Sequence, residues 1–270
     1  MAIWYNFFGT SANERFDLSE FSMSQPVHVE GAGGSDYIAA TEHRDLLIGG
    51  EGDDVILGLD GNDTIYGDEG ANGDGGLDQI FGGDGDDVVL AGGGDDYVNG
   101  GDGDDMVDAG DGDDYVVGGL GADEVYGGAG DDIILGNGIP DDAPLPLLEL
   151  ISVNVDGIGE MPIDPAEFFG GELGELPIVD DDAADVLNGG TGNDILAGFG
   201  GNDQLSGGKD SDALVGGIGN DFLDGGRGAD YFVFAEYGAA NYDTIARFQK
   251  IDSIVLDTDV FTGIGKADST

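Results

Sequence analysis

The sequence predicts an all-β fold of short parallel strands stacked in two sheets. Three observations carry that expectation: a nine-residue repeat, an apolar residue at one fixed position, and glycines in the positions that precede it. Read from Gly31, the units are GAGGSDYIA, ATEHRDLLI, GGEGDDVIL and GLDGNDTIY. Six extra residues follow, Gly67 to Asn72, and the frame resumes at Gly73 with GDGGLDQIF and runs to Leu135. A second block opens at Asp180 with DDDAADVLN and closes with GGRGADYFV. Across these seventeen units the sixth position is always Asp. The eighth is always Ile, Leu, Val or Phe, and the fourth is Gly in fourteen. A disordered acidic tract would share the composition but not the phase.

Each part of the unit has a physical role. Glycines at the first, second and fourth positions permit positive φ and close backbone approach, so the first six residues predict a tight turn. Such a turn points carbonyls inward, and its Asp adds a carboxylate. The last three residues, such as Val88-Val89-Leu90, predict a short strand whose eighth-position side chain faces one way and its neighbours the other. Stacked units then place an apolar seam between two sheets and align the turns in columns along both edges.

Composition adds a constraint. Gly supplies 55 residues, Asp plus Glu 58 and Lys plus Arg only 7, for a formal net charge of -51. Self-repulsion of that size opposes compaction, yet 40% of the residues are hydrophobic. A counter-ion that belongs to the structure reconciles the two. Carboxylate-rich chains suit hard cations, and calcium takes about six to eight oxygen ligands. The acidity argues against nucleic acid and against adsorption to an anionic membrane. Cysteine is absent, which removes disulfides and thiolate chemistry. No apolar run reaches the roughly eighteen residues of a membrane span. The N-terminus, MAIWYNFFGTSANERFDLS, lacks the positive and apolar regions of a cleavable signal peptide.

The pattern GGxGxDxUx, at this copy number, resembles the repeats-in-toxin, or haemolysin-type, calcium-binding family. The resemblance covers Gly31–Leu135 and Asp180–Val233. It implies a right-handed parallel β-roll with two nonapeptides per coil. It also implies multiple Ca2+ ions, held between successive turns of one edge by sixth-position carboxylates and turn carbonyls. The ligands so implied are Asp36, Asp54, Asp63, Asp78, Asp87, Asp96, Asp105, Asp114, Asp123, Asp132, Asp194, Asp203, Asp212, Asp221 and Asp230. Asp45 and Asp185 are set aside. In ATEHRDLLI, His43 replaces the turn glycine and Arg44 adds positive charge; in DDDAADVLN, Ala183 replaces it. GGKDSDALV, with Asp210 at that position, departs less.

The domain organisation expected is a degenerate capping region over residues 1–30, a first roll over 31–135, a Pro-rich insertion over 136–179, a second roll over 180–233 and a C-terminal cap over 234–270. In the first, GTSANERFD matches the unit with Glu14 for Asp and Phe16 at the apolar position, and Trp4, Phe7, Phe8 and Phe21 are expected to cover apolar surface. The insertion holds six of the seven prolines, an apolar stretch from Leu147 to Val155 and a helix start at Asp164-Pro165. The differing texture of the two blocks, Asp-Asp in the first and Asn-Asp in the second, favours two separate stacks over one continuous roll. The spacing of Asp243, Ile245, Phe248, Ile251, Asp252 and Ile254 resembles the capping segment after the roll of serralysin-type exoproteins, although the chain ends at GKADST without their apolar ending.

No catalytic constellation emerges. His28 and His43 are the two histidines, and neither sits in H-E-x-x-H; G-x-S-x-G is also absent. The repeat carboxylates read as metal ligands rather than as an acid–base pair in a cleft. The expectation is a non-enzymatic, secreted, calcium-binding module, extracellular or at the cell surface, that folds on meeting calcium; the family implies type I secretion. Two alternatives stand beside it: a calcium-dependent surface-layer, adhesin or matrix subunit, and the non-catalytic part of a larger protease, lipase or alginate epimerase. Outward positions Tyr37, Val55, Tyr97, Tyr115 and Ile133, with Leu57, Phe81, Val117 and Leu135, make an apolar outer face. It is expected either to lie under the N-terminal strip or the Pro-rich excursion, or to meet a second copy, another extracellular protein or a glycan.

Overall fold

The computed structural model describes residues 4–19, 21, 24–68, 75–137, 183–234 and 242–256. The described strands alternate strictly between two eleven-stranded parallel sheets. Each coil of the chain gives one strand to each sheet, and regular coils repeat every 18 residues. The architecture is a β-solenoid of about eleven turns, in agreement with the expected right-handed parallel β-roll.

The strands are longer than the sequence suggested. β5 (Leu46–Glu51) and β9 (Val88–Gly93) each run six residues, from the seventh position of one unit through the third of the next. The first two glycines of a turn therefore join the ladder. Gly50 N donates to Gly67 O at 2.8 Å, one coil on. Eighth-position side chains point inward from both sheets and stack in register, Ile56 on Ile80 and Leu187 on Leu205. From Ile38 to Phe232 they are 0–1% exposed, so the core is a single continuous seam.

The expectation of two stacks is corrected. β13 (Glu124–Ala129) pairs with β15 (Val186–Thr191), and β14 (Ile133–Asn137) pairs with β16 (Ile195–Gly200). Val125 meets Leu187, and Ile134 meets Leu196, in the ordinary register. The physical reason lies in where the insertions leave the coil. Gly136 stands at the first position of the turn that ends at Asp185, its Cα hydrogen directed at Asp185 Oδ2; a Cβ there would lie 2.3 Å from that oxygen. Gly67 has the same relation to Asp78, also 2.3 Å. Both extra segments thus enter after the second turn position, so neither shifts a strand. The frames read from Gly73 and Asp180 are accordingly replaced by turns whose first two residues are Gly67-Asp68 and Gly136-Asn137. The apolar stretch at Leu147 to Val155 and the helix start at Asp164 lie outside the described residues.

Both ends extend the same ladder. β1 (Tyr5–Phe8) pairs with β3 (Val27–Gly33), and β2 (Arg15–Asp17) with β4 (Tyr37–Ala39), so the N-terminal segment is the first coil rather than a strip over the outer face. Phe7 and Phe16 pack against the core. Phe8 and Phe21 do not cover apolar surface as expected: they are 62% and 59% exposed. Alternation along β1 turns Phe8 outward once Phe7 turns in. At the other end β21 (Thr244–Ala246) and β22 (Ser253–Leu256) form the eleventh coil, and Phe248 rests against core Phe232 with ring centroids 5.9 Å apart. Arg247 makes a two-nitrogen contact with the Asp224 carboxylate, which ties this basic segment to the acidic roll.

The outer face of the even-numbered sheet is apolar, as its residues suggested. Tyr115, Val117, Ile133 and Leu135 are 0–7% exposed despite pointing away from the seam. Toward the N-terminal end the row is half-buried, with Tyr97 stacked on Tyr115 at 5.6 Å and Arg15 seated 3.7 Å over the Tyr37 ring. The Pro-rich segment proposed as its cover lies outside the described residues.

Candidate metal centre

The sixth-position aspartates form two ladders, one along each edge of the roll. Each backbone amide donates to Oδ1 of the aspartate one coil later. On the first edge Asp36 N reaches Asp54 Oδ1 at 2.7 Å, Asp54 reaches Asp78 at 2.8 Å and Asp78 reaches Asp96 at 2.8 Å. The series continues through Asp114, Asp132, Asp194, Asp212 and Asp230 to Asp252. On the second edge it runs from Asp45 through Asp63, Asp87, Asp105, Asp123, Asp185, Asp203 and Asp221 to Asp243. The strands force this arrangement, because residue six immediately precedes each strand and is carried into register with it.

The second oxygen of these carboxylates has a different fate. Oδ2 of Asp36, Asp54, Asp63, Asp78, Asp87, Asp96, Asp105, Asp114, Asp132, Asp194, Asp212, Asp221 and Asp230 is buried and accepts no hydrogen bond. Asp123 and Asp203 hold the same place in the ladder at 2% and 1% exposure. A buried carboxylate oxygen that meets no donor is costly unless a cation compensates it. Burial is the main cause of the raised titration of these groups, opposed by the amide that each accepts. Asp87 and Asp221 rise to about 6, Asp54 and Asp114 to about 7, Asp63, Asp96, Asp105 and Asp212 to about 8, and Asp132 to about 9. Neighbouring aspartates add to the rise.

The turn backbone completes a cradle of oxygens. Gly52 has φ +118°, and a Cβ added there would lie 2.6 Å from Gly34 O, the fourth-position carbonyl one coil back. Gly103 repeats the relation with Gly85 O at 2.3 Å and φ +144°. Fourth-position carbonyls therefore point along the roll axis into the gap between consecutive turns, and glycine alone leaves that gap open. No three His, Asp or Glu side chains converge on one point among the described residues. A cation here would draw on one or two carboxylates and several carbonyls, a donor set of hard oxygens that suits calcium. The residues present fit the ion.

Two turns complete the carboxylate from within the chain. Thr41 donates to Asp45 Oδ2 from its amide at 2.9 Å and from its hydroxyl at 2.7 Å. Thr10 does the same for Glu14, hydroxyl to Oε1 at 2.5 Å and amide to Oε2 at 3.3 Å. The sequence flagged the Asp45 turn through His43 and Arg44, but the residue that satisfies the carboxylate is the second-position Thr. Asp185 is buried, and its Oδ1 accepts the Asp123 amide at 2.9 Å.

Asp243 and Asp252, read from the sequence as part of a capping segment, are members of the two ladders. Two further sets of residues escaped the sequence reading. Asp68 is 5% exposed with one oxygen that meets no donor. Fifth-position side chains form a further ladder of opposite sense: Asp86 Oδ1 accepts Asp104 N at 3.2 Å, Asp113 Oδ1 accepts Asp131 N at 2.8 Å, and Asn193 Oδ1 accepts Ser211 N at 3.1 Å. Asp and Asn serve this purpose equally, which explains why the change from Asp-Asp to Asn-Asp marks no boundary.

A family model described as the RTX calcium-binding nonapeptide repeat matches residues 39–73, 72–107, 108–138, 180–214 and 206–235. No curated protein matches the chain. The matched segments cover more than half of the chain and coincide with the ladder of turns, and the chain thus belongs to the RTX calcium-binding nonapeptide repeat family.

Proposed function

We propose that this chain is a secreted, non-enzymatic calcium-binding β-roll that folds when it meets extracellular calcium and serves a structural or accessory role. The column of buried Oδ2 atoms that meet no donor carries the reading. In the absence of a cation, desolvated carboxylates spaced along both edges oppose the stacking of coils. Calcium, when bound, supplies the positive charge that those oxygens lack. The binding free energy then becomes folding free energy, so a low-calcium compartment favours the open chain and an extracellular one the roll. Such a switch suits type I secretion, in which an unfolded chain is exported. The fifteen implied ligands all stand in the ladder with buried carboxylates.

Circular dichroism of the chain in chelator, followed by calcium up to millimolar levels, tests this reading. The β signal is expected to appear with calcium; its equal presence in chelator, or its absence in calcium, sinks the proposal. Export is checked by whether the chain leaves cells only when a type I apparatus is present.

The outward aromatic row favours a second reading, calcium-dependent self-assembly. Phe81 and Tyr97, both half-buried, are in contact along the outer face of the even-numbered sheet. Light scattering in calcium decides: a monomer at high concentration dismisses assembly.

A further inference from the structure

The turn from Gly67 to Asp78 breaks the repeat in one chemically specific way. In other coils the second turn position faces the second-position carbonyl of the coil before. A Cβ on Gly50 would meet Ala32 O at 2.4 Å, one on Gly110 would meet Gly92 O at 2.0 Å, and one on Gly190 would meet Gly128 O at 2.2 Å. Gly92 faces something else. The nearest atoms to its Cβ position are Asp68 Cβ and Oδ2, both at 2.8 Å. Asp68 occupies the second position of its turn, its amide donating to Ala91 O at 3.0 Å as other second-position amides do. A carboxylate has thus moved to the place where every neighbouring coil presents a neutral carbonyl.

The group is not consumed by local hydrogen bonding. Asp68 Oδ2 accepts Gly93 N at 3.0 Å, while Oδ1 is buried and meets no donor. The residue is 5% exposed, so water does not compensate it. It shares its edge with Asp78 and Asp96, at 1% and 3% exposure, whose Oδ2 atoms also meet no donor. Desolvated carboxylate oxygens are therefore denser here than at an ordinary turn, and among the described residues only the Gly93 and Gly76 amides stabilise the Asp68 charge.

We propose that Asp68 supplies an additional carboxylate to a calcium site between Gly67-Asp68 with Gly76–Asp78 on one coil and the turn 91–96 on the next, which makes that ion the most tightly held of the roll. The inference rests on the calcium reading above and extends it to a site-specific hierarchy. Ligand charge count is a main determinant of calcium affinity, so exchanging a carbonyl for a carboxylate raises affinity at this site alone. The roll then has a defined first ion, seated in the first block of repeats.

The test is calcium competition between the full chain and a chromophoric chelator, with circular dichroism recorded in parallel. The wild-type chain is expected to keep one ion at free calcium levels that strip the rest. Asp68→Asn and Asp68→Gly, the second of which restores the residue usual at this position, are each expected to weaken that ion about tenfold and leave the others in place. Asp84→Asn, which removes an equal charge from an exposed third position, is expected to leave the curve unchanged. Superposed wild-type and Asp68→Gly curves overturn the proposal, as does an equal shift from Asp84→Asn. A wild-type chain that binds no calcium overturns the calcium reading as a whole; a calcium-loaded roll with no distinct tight ion overturns only the role of Asp68.

Discussion

The amide of Asp132 donates to Oδ1 of Asp194 at 3.0 Å, which joins residues 62 positions apart as though they belonged to consecutive repeats. Asp123 and Asp185 make the matching contact on the opposite edge at 2.9 Å. The roll is therefore closed across its longest interruption on both sides. A protease site introduced within residues 138–182 and cleaved in calcium should leave two fragments that co-elute and keep the β signal of the intact chain. Fragments that separate on a sizing column in calcium would contradict the continuous sheets.

The two Asx ladders differ in burial, and substitutions should report the difference. Asp105 is 3% exposed and its Oδ1 accepts Asp87 N at 2.8 Å. Asp105→Ala removes that acceptor and a proposed calcium ligand together, and should cost about 1–3 kcal/mol in calcium-loaded denaturant unfolding. The adjacent Asp104 is exposed, and Asp104→Ala should cost less than about 1 kcal/mol. Equal losses at the two positions would mean that burial of the sixth residue is not what matters.

In chelator the same carboxylates should make the roll acid-favoured. Their folded-state titration lies above the ordinary Asp value, from about 6 at Asp87 to about 9 at Asp132. A group raised in the folded state favours folding fully below its unfolded value and loses that contribution as pH rises through the folded value. Calcium-free chain is thus expected to hold most β structure near pH 4 and to lose it between about pH 6 and 9. A pH series of circular dichroism spectra in chelator checks this; β content that rises with pH would reverse the sign and refute the assignment.

The Thr41 amide and hydroxyl both donate to Asp45 Oδ2, so the carboxylate is satisfied from within the chain and removal of the hydroxyl should be felt without any change in calcium binding. Thr41→Val keeps the shape and deletes the 2.7 Å bond to Oδ2. Calcium-loaded unfolding should show a loss of about 1–2 kcal/mol with no change in the number of ions bound. A bound ion lost in parallel would place calcium at this turn after all.

The fold class was legible because residue types repeat in phase: an apolar side chain every nine residues, at the eighth position, can only become a seam once strands stack. The aspartate column was legible for the same reason. Continuity across the insertion was not, because pairing of Val125 with Leu187 depends on where the chain leaves the coil, and no local signal marks that exit. The extra turn residues misled the frame in the same way, and Asp68 was passed over as part of an insertion although its amide keeps the second-position contact. The satisfied turns were half legible. His43 drew attention by replacing the turn glycine and Arg44 by its charge, whereas the donor that mattered was Thr41, two residues before His43 and four before Asp45, visible only once Thr41 and Asp45 were seen in contact. Asp243 and Asp252 lacked the second- and fourth-position glycines and so did not register as repeats.

The point of entry shared by both insertions has a consequence for how such a molecule can be remodelled. Gly67-Asp68 and Gly136-Asn137 each hold the first two places of a turn, and the chain then departs and returns without altering the rungs above or below. Among the described residues, the regular turns on both edges share this junction. The roll is in effect a rack with a mounting port on each shelf, where a peptide tag, an epitope or a whole small domain could be spliced and displayed at a spacing fixed by the coil repeat.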